Sequence, residues 1–281
     1  MGTLAGHVIP GAEFMILGIL LNLVFKAEQF AQASAEHVAC NYASVGVEDE
    51  DKELQPVRQT QPETHQKTAR VKLVFSLYAL ISIIMGILYE GLGAVLVKSG
   101  DFFEEKGHLT MYLGFVPASI AFGLESGLFP GSDYATHVQP APLLSQASFT
   151  MGFLNQWYLL AAHAKMKKPG ADFLFHKLWA DTALWLFLVY GLSVLAQLAK
   201  QERLARVAQL SCPAFLLMQG SWICLIGSIM FPVYGEMHDD VSMESISALF
   251  GLCLLVCMVL QYVFISIVPP GFARCYQRLL A

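Results

Sequence analysis

The sequence predicts an all-α polytopic membrane protein, a bundle of seven transmembrane helices, and three observations carry that expectation. The 281 residues are 56% hydrophobic and only 14% charged, where soluble domains carry about a quarter of charged residues. Seven apolar runs are each long enough, at roughly 17 to 25 residues, to cross about 30 Å of hydrocarbon as helices. Lysine and arginine divide eleven against six between the two sets of connections. Because positive loops collect on the cytosolic side, this bias puts the N-terminus out and the C-terminus in. A net charge of −5 without a basic tract gives no sign of a nucleic-acid partner.

The first run, 8–25, is entered through Gly6-His7-Val8-Ile9-Pro10-Gly11, with Pro10 suited to a first helical turn, where its missing N–H has no partner to lose. It lacks a positive leader and a small-residue cleavage site, so it reads as an anchor. The proline-free, Ala/Glu/Gln-rich stretch beyond it continues the helix past the membrane towards residue 43. Residues 46–70 turn acidic and then Gln/Thr/Pro-rich, and read as a disordered cytosolic linker. The rest of the chain is one seven-helix membrane domain.

The second run, 73–97, carries Glu90. The third, 109–129, carries Tyr112 and Glu125 and is expected to kink at Pro117. The fourth and fifth runs, 143–164 and 173–198, form a hairpin whose bend holds Pro169-Gly170, with Gln156 and His163 before it and Asp172, His176 and Asp181 after it. The sixth, 208–231, contains Gln219-Gly220-Ser221-Trp222, and the seventh, 243–267, is almost wholly apolar. Cys212, Cys224, Cys253 and Cys257 fall within these runs and Cys40 and Cys275 on the cytosolic side, so no disulfide framework is expected.

A charge at a helix centre costs roughly 2.5 to 3.5 kcal/mol, so polar groups inside these runs invite a functional reading. Glu90, Tyr112, Gln156, Asp181, Gln219, Ser221 and Trp222 are expected to face the bundle interior as a polar layer, with Gln219 and Ser221 joining helices. Lys177, one turn before Asp181, can neutralise that acid and draw it towards the interface instead. On the outer side, His108, His163, Asp172 and His176 have the imidazole and carboxylate chemistry of a Zn site. The competing structural reading makes Asp172 a helix N-cap and leaves the histidines as interfacial residues without a ligand. A haem would need two histidines facing each other across an apolar slot, and these lie too near the surface. No serine elbow, phosphate loop or Cys-x-x-Cys is present.

Four patterns in order, Gly6 to Gly11, His108-Leu109-Thr110-Met111-Tyr112, Asp172 with His176, and Gln219-Gly220-Ser221-Trp222 with Ile226-Gly227 and Phe231-Pro232 after it, resemble the transmembrane protein 45 family, which includes the transmembrane epididymal protein. Gly6, His7, Pro10 and Gly11 are the first of these family motifs. The resemblance covers most of the chain and implies a seven-helix protein of the endomembrane system or plasma membrane. The chain departs from the family in carrying His163 alone in place of a His-x-His pair and no histidine in its last run. The expected function is that of a non-enzymatic protein embedded in the lipid bilayer that takes a lipid ligand or a membrane-protein partner. The alternative is a Zn-dependent intramembrane site on the outer side that hydrolyses lipid.

Overall fold

The computed structural model describes residues 4–44, 68–89, 109–126, 143–231 and 241–267, and every regular element among them is a helix. In order these are α1, Leu4–Ser44; α2, Thr68–Tyr89, and α3, Leu109–Glu125; α4, Leu144–Lys165; α5, Ala171–Leu198; α6, Glu202–Met230; and α7, Met243–Ile267. The chain is a helical membrane protein. α1, α2, α5, α6 and α7 each contain a stretch long and apolar enough to span a bilayer. α3 falls short, since 17 residues rise about 26 Å against a core of about 30 Å. α4 is long enough but more polar, carrying Ser145, Gln146, Ser148, Thr150, Asn155, Gln156 and His163. Glu90, His108 and residues 46–67 of the expected linker lie outside the described residues, whereas residues 68–70 already belong to α2.

Three local expectations are corrected. Pro10 lies inside α1 and not in its first turn, because the helix begins at Leu4. The Pro117 kink is a break within α3: Gly114 and Phe115 form a turn and the helix resumes at Val116 with the proline in the first turn of that segment, where a missing N–H is harmless. Asp172 does not cap α5. Gly170 occupies the cap position at φ 113°, a conformation suited to glycine, and Asp172 sits in the first helical turn.

α1 crosses α6, α6 lies against α5 and α7, α5 against α4, and α4 against α3. α2 joins through Phe75, whose ring lies 4.7 Å from that of Phe122, and through Ser76, whose hydroxyl donates to the Ser119 carbonyl at 2.7 Å. Two apolar cores result, stacked along the bundle. One lies towards the end that carries the α4–α5 bend and includes Leu160, Phe175, Trp179, Met218, Trp222 and Phe250. The other lies towards the linker end and includes Leu21, Phe75, Phe122, Phe153, Tyr190 and Leu216. Exposed Leu, Ile, Val and Met side chains on α2 and α7, such as Ile81, Met85, Leu255 and Val259, suit contact with lipid.

The α1–α6 crossing brings two backbones into close approach, and its sequence explains how. A β-carbon on Gly11 would stand 2.7 Å from the Gly220 carbonyl oxygen, and one on Gly220 would collide with the Gly11 carbonyl. One turn and more towards the bend, Gly227 receives His7. The first and last of the four motifs are therefore two sides of one contact, in which small residues let backbones approach.

Candidate functional site

At the bend end, three histidines from three helices come together. His7 on α1, His163 on α4 and His176 on α5 are all more than nine-tenths buried. The His176 ring is 5.2 Å from that of His163 and 6.3 Å from that of His7, centroid to centroid. His7 also meets Phe231 at 5.2 Å and Trp179 at 6.3 Å, centroid to centroid. His176 Nδ1–H donates to the Asp172 carbonyl at 2.8 Å. The same nitrogen is 3.0 Å from Asp172 Oδ1, an oxygen with no hydrogen bond of its own. With Nδ1–H committed, a neutral His176 ring keeps Nε2 as its acceptor, the tautomer that outer-sphere partners impose on metal-binding histidines.

The expected Zn set is only partly assembled. His163, Asp172 and His176 lie near one another and His108 is outside the described residues. Among the described residues, no group of three or more His, Cys, Asp or Glu side chains is arranged to hold a metal ion. His7 is the member that sequence reasoning missed. It lies 156 positions from His163 and 169 from His176, and its signals were its place on the outer side with the other histidines and in the opening motif, which packs on Gly227.

The expected polar layer divides. Gln156, Gln219 and Trp222 are buried as anticipated. Tyr112 is half-buried with its ring against Gly86, and the Ser221 hydroxyl approaches Met15 Sδ at 3.5 Å. Asp181 leaves the layer, because Lys177 Nζ holds it at 2.6 Å on a partly exposed face. Among the described residues Gln219 does not join helices: neither its amide nitrogen nor its oxygen has a hydrogen-bond partner there, although the residue is 0% exposed. Gln156 Oε1 and Trp179 Nε1 are buried and unpartnered as well. Trp222 is satisfied, its indole N–H donating to the Phe175 carbonyl at 3.2 Å.

Towards the linker end, by contrast, polar groups saturate one another. Asn22 on α1 and Gln261 on α7 exchange two hydrogen bonds of 2.8 Å, and Gln261 Nε2 also donates to the Leu210 carbonyl of α6 at 2.8 Å. Glu125 accepts from Ser145 N and Oγ at 2.9 and 2.7 Å. Gln197 donates to Gln146 Oε1 at 2.6 Å, and Lys72 pairs with Glu28 at 2.7 Å. Tyr190 is the exception at this end, its hydroxyl unpartnered among stacked phenylalanines. No protein-family model matches the chain, so the resemblance to the transmembrane protein 45 family stands on its four motifs.

Proposed function

We propose that this is a non-enzymatic multi-pass membrane protein of the transmembrane protein 45 family, with seven spans, the N-terminus and the α4–α5 bend outside, and the C-terminus in the cytosol. It binds a lipid or a membrane-protein partner within the endomembrane system or plasma membrane. The observation that supports binding is the set of buried, unpartnered polar atoms on α4, α5 and α6, in a bundle whose other half satisfies its polar groups among the described residues but for Tyr190. Amides and an indole N–H recognise a ligand by hydrogen bonding but do not activate a nucleophile. The test is mass spectrometry of lipids that remain with the detergent-purified protein. A lipid retained in stoichiometric amount is expected, and a spectrum no different from that of an unrelated helical membrane protein, with no copurifying partner chain, ends the reading. For the orientation, a glycosylation acceptor placed at 100–106 should be modified and one placed at 46–67 should not.

A second reading, a Zn-dependent site acting on lipid, draws on His176, oriented by Asp172 and flanked by His7 and His163. It needs three ligands converging on one point, an arrangement that the described residues do not form. Elemental analysis of chelator-free protein decides it, since a working site holds one Zn per chain and His176→Ala abolishes it.

A further inference from the structure

We propose that Met15, Cys253 and Cys257, gathered around Ser221 where α1, α6 and α7 meet, bind a soft monovalent metal ion, copper(I). The site is separate from the histidines, and it goes beyond the lipid-binding reading without resting on it. Cys253 and Cys257 are i and i+4 on α7, hence on one helical face, and their thiols interact with each other. Gln261 continues that stripe by one turn, and all three residues are buried while Leu252, Leu255, Val256 and Val259 around them are exposed. The Cys257 thiol donates to Ser221 Oγ at 3.9 Å, and the Ser221 hydroxyl donates to Met15 Sδ at 3.5 Å. One hydroxyl of α6 thus touches a sulfur of α7 and a sulfur of α1. α1 and α7 run parallel with a fixed offset, since Asn22 bonds Gln261 and Lys26 bonds the Ile265 carbonyl, each pair 239 positions apart. The same offset sets Met15 level with Leu254, next to Cys253 and about 4.5 Å along the axis from Cys257 at 1.5 Å per residue.

The donor atoms define the ion. Among the described residues no third His, Cys, Asp or Glu joins the two cysteines, so the set is two thiols and a thioether. Soft sulfur donors favour copper(I), whereas magnesium, calcium and manganese want oxygen. Zinc closes a structural site with four ligands, and the core around Cys253 and Cys257 offers apolar side chains such as Trp222 and Phe250 in place of a fourth. The other thiols of the spans are engaged elsewhere, Cys224 with the Val8 carbonyl at 3.7 Å and Cys212 with the Ala208 carbonyl at 3.4 Å. Ser221 is placed as the outer partner. When copper(I) enters, the Cys257 S–H bond is replaced by a sulfur–copper bond and the proton leaves to solvent. The Ser221 hydroxyl then turns its hydrogen from Met15 Sδ to the thiolate, which frees the thioether for the metal. Cys253 and Met15 bind as uncharged sulfurs, and copper stays monovalent throughout. One cation replaces one proton, so the charge of the buried site does not change, which hydrocarbon favours.

The experiment titrates copper(I) into the full chain in detergent, kept anaerobic and reduced, against the chromogenic chelator bicinchoninate. Cys40→Ser and Cys275→Ser in every sample remove the thiols outside the spans. One copper(I) per chain is expected, with an X-ray absorption spectrum of sulfur-only coordination. Cys253→Ser, Cys257→Ser and Met15→Leu should each weaken binding about tenfold or more, the scale on which lost metal partners are felt, while Cys212→Ser and His176→Ala leave it unchanged. Thermal unfolding establishes that each variant folds; Met15→Leu conserves volume and decides the matter if a serine variant does not. Copper(I) surrendered wholly to the chelator overturns the site. So does binding indifferent to the three substitutions, a spectrum with nitrogen ligands, or zinc held as tightly as copper(I), and none of these outcomes touches the lipid-binding reading, which its own test decides.

Discussion

Two pairs of side-chain amides, one in each half of the bundle, differ in the way that matters here. Asn22 and Gln261 bond each other twice and reach a third helix through the Leu210 carbonyl. Gln156 and Gln219 are as deeply buried, yet three of their four amide atoms have no partner among the described residues. Burial and chemistry are the same, so neither distinguishes a structural amide from a candidate binding group. What distinguishes them is whether the helices brought a complement to the same depth and face.

Breaking the frame that both halves share has the largest expected effect. Gly220→Leu drives a side chain into the Gly11 carbonyl and Met15, and should cost about 3 kcal/mol or prevent folding, because well-packed crossings do not absorb added volume. Thermal unfolding in detergent measures it, and an undiminished Tm would mean that α1 and α6 do not meet there. Next, Gln261→Leu strands the Asn22 amide and should cost about 2 kcal/mol, with most of it recovered in the double variant with Asn22→Leu, since replacing both partners removes the buried unpaired group. A double variant no more stable than the single one would deny that the pair acts as a unit.

Gln219→Leu sharpens the contrast because its sign differs. Without ligand the substitution should be neutral or stabilising by up to about 1 kcal/mol, as no hydrogen bond is lost and an unsatisfied amide is removed. Destabilisation comparable to that of Gln261→Leu would place a protein partner on Gln219 and erase the distinction between the halves. The smallest effect is expected from Lys177→Ala. Its 2.6 Å contact with Asp181 joins side chains that are 51% and 29% exposed, and such pairs contribute about 0.5 kcal/mol or less, diminishing further with added salt.

The sequence by itself determined the features that rest on local and additive properties. Hydropathy summed over a run predicts a membrane helix wherever the run lies in the fold, which is why the helical membrane class was legible and why the more polar α4 and the short α3 are the two helices without a stretch long and apolar enough to span. The Pro169-Gly170 bend and the Lys177–Asp181 pair were legible for the same reason, each depending on residues within one or two turns. Partnership between distant helices was not. Asn22 finds Gln261 across 239 residues, His7 finds His176, and Gly11 finds Gly220, whereas Gln219, read as a helix-joining amide, finds no partner among the described residues. Each outcome depends on the rotation and depth of two helices set by all their other contacts, and only the tertiary structure decides that.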